Sequence, residues 1–372
     1  MIWLLLAVGA AAAAYQMLAL GAAARFMQRR ETPPADWPAV SLLKPVQGPD
    51  PHFYEAIRSH AVQDYPAFEI LFGVSDPADP AAADIRRLMA EFPAVAIRLI
   101  VGRRPGTNHK VGVLEELAAH ARHPILVVND GDIAVPRDYL RRVVGRLQDP
   151  GVGMVTCLYR GEAESLPARW EALAIATEFA PGVLVAPLVG VSEFALGSTM
   201  AFRAADLARA GGFGAIADYL ADDYQLSRRI RGLGLKVVIA PPVVTTYLPD
   251  WGWREAWQHQ VRWARTIRVS RGDGYLGMPV TMATLWAALL MLSGQWWAGA
   301  GLLVLRLATA LTVALGALRA RLSPGDAILI PLRDLWGAAV WAAGLGGRTV
   351  VWRGRRLRLS RDGRILAAEQ LR

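Results

Sequence analysis

Apolar residues fall along this chain in two different ways. Residues 2–24 carry no charge and are closed by Arg25, Arg29 and Arg30, and residues 279–318 carry one charge, Arg306. At about 1.5 Å per residue, the first run is long enough for one crossing of a hydrocarbon core about 30 Å thick and the second for two. Between them, short β-branched runs alternate with segments of helical length. This pattern predicts strands over 40–43, 68–74, 95–101, 125–130, 152–159 and 197–203. It predicts helices over 51–62, 81–92, 109–120, 136–147 and from 221 to about 232. Such alternation reads as a parallel sheet with right-handed crossovers.

Three further stretches break the rhythm. Residues 169–191 are largely apolar, with Trp170, Phe179 and two prolines, and read as core or as an amphipathic element on a membrane surface. Residues 253–270 form an amphipathic pattern rich in tryptophan and arginine, which suits an interfacial helix. Residues 327–345 are apolar except for Arg333 and Asp334 near the middle. Charges at that depth are costly, so a self-paired, re-entrant or interfacial segment is expected.

The resulting layout has a transmembrane helix at 1–27, a proline-rich linker at 28–38 and a soluble domain at 39–250. An interfacial helix at 251–275, a membrane region at 279–345 and a basic tail at 346–372 follow. Arginines after the first span and in the tail put both on the cytoplasmic side, so the chain is expected to be a multi-pass protein of the inner membrane. A cleaved signal peptide would have a basic start and a shorter apolar core.

Composition narrows the class. A net charge of +9, 53% hydrophobic residues and a mean hydropathy of +0.26 point to a membrane protein with basic flanks rather than a nucleic-acid binder. The single cysteine, Cys157, excludes a disulfide framework. Neither a Gly-x-x-x-x-Gly-Lys loop nor a Gly-x-Gly-x-x-Gly turn is present, so phosphate-cradling glycine loops are ruled out.

The candidate chemistry lies at strand ends, where α/β sheets bind ligands. Residues 125–133 read Ile-Leu-Val-Val-Asn-Asp-Gly-Asp-Ile. Asp130 and Asp132 could grip a hard divalent cation on a diphosphate, with Gly131 permitting close approach; Asp-Gly is equally a common turn dipeptide. Asp76 ends a second strand and could bond a base or ribose. The chain has only three lysines, and Lys44 and Lys110 both lie near these strand ends, where an ammonium suits a phosphate. At the start of the helix from 221, Asp223 is either an N-cap or a general base. Arg262 and Trp263 could clamp a diphosphate from the interfacial helix.

Taken in order, Ser41-Leu-Leu-Lys-Pro45, Gln63-Asp-Tyr-Pro66, Asp76 in Ser-Asp-Pro-Ala-Asp-Pro, Asn108-His-Lys110, Asp130-Gly-Asp132, Ala221-Asp-Asp-Tyr224 and Arg262-Trp263 resemble the motifs of membrane-bound GT-A glycosyltransferases. The resemblance is to ceramide glucosyltransferases and the bacterial enzymes that glycosylate hopanoids, and it covers about residues 40–270. It implies an α/β, GT-A (Rossmann-like) fold with a mixed, mostly parallel sheet flanked by helices and transmembrane helices at both ends. It implies transfer of glucose or N-acetylglucosamine from a UDP-sugar to a hydroxyl of a hopanoid or ceramide, with inversion.

By resemblance, Asp76 contacts uracil or ribose, Asp130 and Asp132 hold the diphosphate through Mg²⁺ or Mn²⁺, and Asp223 is the base. Lys44 and Lys110 bind the nucleotide sugar, and Arg262 with Trp263 closes on it. Two positions depart from the family pattern: His259 stands where glutamine or arginine is usual, and Gly112 where asparagine is common. The alternatives are a processive polysaccharide synthase, for which the spanning helices are too few, a polyprenyl-phosphate glycosyltransferase, and a non-enzymatic nucleotide-binding membrane scaffold.

Overall fold

The structure is a computed structural model that describes residues 2–29, 33 and 36–370. Five of the eleven residues of the expected linker at 28–38 therefore lie outside the described residues. The chain forms two compact units, 30–159 with 192–249, and 1–29 with 160–191 and 250–372.

The first unit is built on an eight-stranded sheet. Its strands are β1 (Val40–Val46), β2 (Phe68–Val74), β3 (Ala96–Val101), β4 (Ile125–Val128), β5 (Ile133–Ala134), β6 (Val152–Glu162), β7 (Met200–Arg203) and β8 (Lys236–Tyr247), in the order β3-β2-β1-β4-β7-β6-β8-β5. The run β3-β2-β1-β4 is parallel, with Leu43 opposite Val128 and Val46 opposite Val74. Beyond β4 the sheet turns antiparallel: β7 pairs antiparallel with both β4 and β6, and β5 with β8. The sheet is thus mixed and mostly parallel, as expected, with its parallel strands together on one side. β1 and β4 are apolar and buried almost throughout because helices cover both faces of a parallel sheet.

Two differences stand out in this unit. β8 was not expected, because Pro241 and Pro242 interrupt it and proline cannot donate to a ladder. The expected strand to Asp130 instead ends at Val128, which frees Asn129 to Asp132 from the ladder.

The second unit is helical. Among the described residues three helices are long and apolar enough to cross a membrane: Ile2–Met27, Leu166–Val189 and Trp296–Ala317. A fourth candidate is the pair Gly272–Thr281 and Ala283–Leu292, bent by 49°. Over 279–318, where a hairpin of two crossings is expected, the helices Ala283–Leu292 and Trp296–Ala317 are joined at 293–295, with Trp297 beside the turn 92% exposed; of the two only Trp296–Ala317 is by itself long enough to cross a membrane. The segment around 169–191, expected as core or a surface amphipathic element, is one of the three helices that pass on length and composition.

Arg333 and Asp334, on the helix Pro324–Gly344, do not pair with each other. Arg333 Nη1 lies 3.3 Å from Glu178 Oε1, and Asp334 takes Arg306. The basic C-terminal segment, expected only as a tail, folds into a three-stranded antiparallel sheet of β9 (Thr349–Trp352), β10 (Arg355–Leu359) and β11 (Ile365–Gln370).

Candidate active site

The site is assembled where β4 ends. Asn129 is fully buried and donates through Nδ2 to Tyr139 Oη, Ser198 O and Thr199 Oγ1 at 2.9, 2.6 and 3.2 Å. These bonds turn the chain out of the sheet, so that Asp130 and Asp132 follow on a half-buried turn. Below the turn, Lys44 is fully buried, and its Nζ donates to Asp130 O at 2.9 Å. His60 Nε2 lies 3.5 Å from the same ammonium. Burial, opposed by the charges of Asp132, Asp130 and Asp50, pushes the Lys44 ammonium down to about 7. Lys44 thus sits behind the loop and holds its backbone, rather than reaching into the crevice.

Lys110 comes from a helix with a firm start. Asn108 Oδ1 accepts the amide of Val111 as N-cap of His109–His120, and Asn108 Nδ2 donates to Tyr219 O at 2.7 Å. That double anchor ties the helix start to the segment leading into the helix Asp222–Gly232. Lys110 Nζ then lies 2.8 Å from Asp130 Oδ1 and 3.0 Å from Asp222 Oδ2. Burial works against this charge, but Asp130 and Asp222 outweigh it and hold the ammonium above the usual lysine range.

Asp223 is not an N-cap. Ala221 occupies that position, and Asp223 lies in the first helical turn, its carboxylate accepting the amides of Tyr224 at 2.7 Å and Gly197 at 3.1 Å. Burial and the neighbouring Asp222 push the Asp223 carboxyl up to about 7, against the pull of Lys110. Gly197 sits inside this group. A Cβ there would lie 3.0 Å from Asp130 Oδ2, 3.5 Å from Lys110 Nζ and 3.8 Å from Asp223 Oδ2.

Asp132 points elsewhere and accepts the hydroxyl of Thr246 on β8. Burial and the charge of Asp130 push its carboxyl up to about 6, with Thr246 drawing it back. Asp130 and Asp132 are hard oxygen donors whose mutual repulsion a divalent cation would relieve. Among the described residues no group of three or more His, Cys, Asp and Glu side chains is arranged to hold a metal. Two carboxylates therefore fit Mg²⁺ or Mn²⁺ only together with oxygens from a diphosphate, which is how such ions are usually held.

Asp76 is exposed at the end of β2, two strands from β4, or about 10 Å at usual strand spacing. Its Oδ1 accepts the amide of Ala78 at 2.8 Å in a local turn. Arg262 and Trp263 lie in the helical unit, on Trp253–Ser270. The Trp263 ring packs against Phe179 and His259 at 5.6 and 5.4 Å, and His259 Nδ1 lies 3.3 Å from Glu171 Oε1. Position 112 has no room for asparagine: a Cβ there would lie 2.4 Å from Arg104 O.

Sequence reasoning missed Asp222, Gly197, Thr246 and Asn129. Asp222 was visible as the neighbour of Asp223, and Asn129 as the first polar residue after β4. Nothing local marked Gly197 or Thr246.

The fold defines the class. A mannosyltransferase from Pyrobaculum calidifontis, solved with GDP-Man and Mn²⁺, matches 93% of this chain and 98% of its own at a TM-score of 0.55 and 22% identity, and the architecture is that of the GT-A glycosyltransferases. A model of glycosyl transferase family 21 matches residues 1–365, and the chain belongs to that family. Ceramide glucosyltransferase 1 of Caenorhabditis elegans is 26% identical over 217 residues, 58% of this chain and 46% of the relative. Ceramide glucosyltransferase 3 of the same organism is 28% identical over 207 residues, 55% of this chain and 45% of the relative. The aligned region spans about half the length of these relatives.

Proposed function

We propose that this protein is an inverting glycosyltransferase that moves glucose or N-acetylglucosamine from a UDP-sugar to a hydroxyl of a membrane lipid, a hopanoid or ceramide. The observation that carries this is the convergence of Asp130, Lys110, Asp222 and Asp223 around Gly197 at the end of a parallel strand. A nucleotide scaffold would have no need of a carboxyl tuned to about 7 beside a fixed cation.

Asp223 takes the proton of the lipid hydroxyl as its oxygen bonds to the anomeric carbon. The bond from that carbon to the diphosphate oxygen breaks, its electron pair leaves with UDP, and the new glycoside has the opposite configuration. Lys110 offsets charge developing on the leaving diphosphate, the type of contribution that usually dominates catalysis. Asp130 and Asp132 would hold Mg²⁺ or Mn²⁺, which when bound supplies further charge neutralisation to the same oxygens.

Lys44 fixes the Asp130 backbone, Asp76 contacts the uridine, and Arg262 with Trp263 retains the diphosphate-binding role that their motif implies. The spanning helices anchor the protein in the inner membrane, with the catalytic unit facing the cytoplasm.

The test is incubation of the purified protein with a lipid extract and radiolabelled UDP-glucose or UDP-N-acetylglucosamine, followed by mass spectrometry of the product. A hexosylated hopanoid or ceramide is expected. Lipid-independent polymer, or a hexosyl phosphate on a polyprenol, would overturn the proposal.

A further inference from the structure

The helical unit holds a second set of buried charges that the donor chemistry leaves unused. Arg306 and Asp334 form a closed pair, with contacts of 2.6 and 2.9 Å and a further bond from the Thr284 hydroxyl. Glu171 is closed in by Gln260 and His259.

Glu178 differs from both. Its carboxylate accepts a hydrogen bond from Arg333 Nη1 at 3.3 Å, yet its side chain is 31% exposed against 4% for Arg333. Arg333 is held from behind, its Nε donating to Trp170 O at 3.3 Å.

Glu178 sits on a π-helical turn, Ile175–Phe179, within the largely apolar helix Leu166–Val189. Such turns recur at functional sites, and an ionisable residue in a spanning segment generally marks one. Across from it the carboxylate packs directly onto Gly337, where a Cβ would lie 2.7 Å from Glu178 Oε1 and 2.9 Å from Oε2 and would displace it. The next residue, Phe179, packs edge-on against Trp263.

We propose that Glu178 is the hydrogen-bond acceptor for the hydroxyl-bearing headgroup of the lipid substrate, bound beside Trp263 against the apolar wall of Leu166–Val189. This rests on the lipid glycosyltransferase function proposed above. A half-open carboxylate at the surface of an apolar helix accepts hydroxyl protons and repels a phosphate. It therefore selects a neutral, hydroxylated lipid over an anionic one.

The experiment uses the full chain in nanodiscs, titrating hydroxylated lipid at saturating UDP-sugar, with UDP affinity and thermal midpoint measured in parallel. Glu178→Gln preserves size and an acceptor for Arg333, and should raise the lipid KM about tenfold, the scale of one charge-assisted hydrogen bond. Gly337→Ala, whose Cβ would meet the carboxylate and push it from its place without changing charge, should raise it in the same direction. UDP affinity should stay unchanged in both, and the midpoint in Glu178→Gln. An unchanged lipid KM in both variants overturns the proposal. So does a joint fall in UDP affinity and thermal midpoint, which marks a structural ion pair. If the wild-type protein glycosylates no lipid, the function itself fails first, a result distinct from normal lipid turnover in both variants.

Discussion

The backbone N–H of Gly197 lies 3.1 Å from Asp223 Oδ2, so a residue with no side chain orients the carboxylate proposed as the base. The same glycine leaves space that Asp130, Lys110 and Asp223 all border. Gly197→Ala should therefore cut glycosyl transfer at least tenfold while moving the thermal midpoint little. Steady-state kinetics with calorimetry checks this, and full activity would show that the space is not used.

Asp223 should set the acid limb of the pH profile. A base acts deprotonated, so kcat/KM should rise with pH up to about 7 and then level off. Lys110 lowers this pKa, so Lys110→Gln should displace the limb to higher pH. Asp223→Asn should reduce kcat by about 10²- to 10⁴-fold with UDP-sugar binding retained in calorimetric titration.

Lys44 is expected to trade stability for position. In the unfolded chain its ammonium keeps its proton to about 10.5, and in the fold it loses it near 7. Between those values the unfolded state binds more protons, so this residue makes stability rise with pH. Lys44→Met should raise the thermal midpoint at pH 7, flatten its pH dependence from 7 to 10, and lower activity because the Asp130 carbonyl loses its donor. A midpoint that falls at every pH would contradict this.

Gly112→Asn, which restores the residue common in related sequences, should destabilise rather than help. The new Cβ would press on Arg104 O at 2.4 Å, and overpacking of this kind costs about 1–3 kcal/mol. Chemical denaturation measures the loss directly.

Chelation should abolish transfer, and Mg²⁺ or Mn²⁺ should restore it. Asp132→Asn should weaken that rescue by raising the metal concentration needed for half-maximal activity, while UDP binding without metal changes little. Activity that persists in chelator would remove the metal from the proposed function.

Much of the parallel half of the sheet was legible from pattern alone. β2 and the helix His109–His120 fall where the apolar periodicity puts them, because their sequences are locally consistent with one conformation. β8 was hidden by Pro241 and Pro242, and β10 by its arginines, although Arg356-Leu357-Arg358-Leu359 alternates as a strand should. In β8 tertiary pairing overrides the local signal, whereas in β10 it agrees with an alternation that the arginines masked.

The sequence by itself determined the kinds of groups available: carboxylates at strand ends, three lysines, an Arg-Trp pair and apolar runs long enough to span a bilayer. Hydrophobic period and residue chemistry are local properties, so they survive without coordinates. Only the tertiary structure decided which groups meet. It put Lys110 between Asp130 and Asp222, sent Lys44 behind the loop, and turned Asp132 toward Thr246. It also paired Arg333 with Glu178 rather than with its neighbour Asp334. Contacts between residues far apart in the chain depend on how strands and helices stack, and burial then shifts the charge that each group carries.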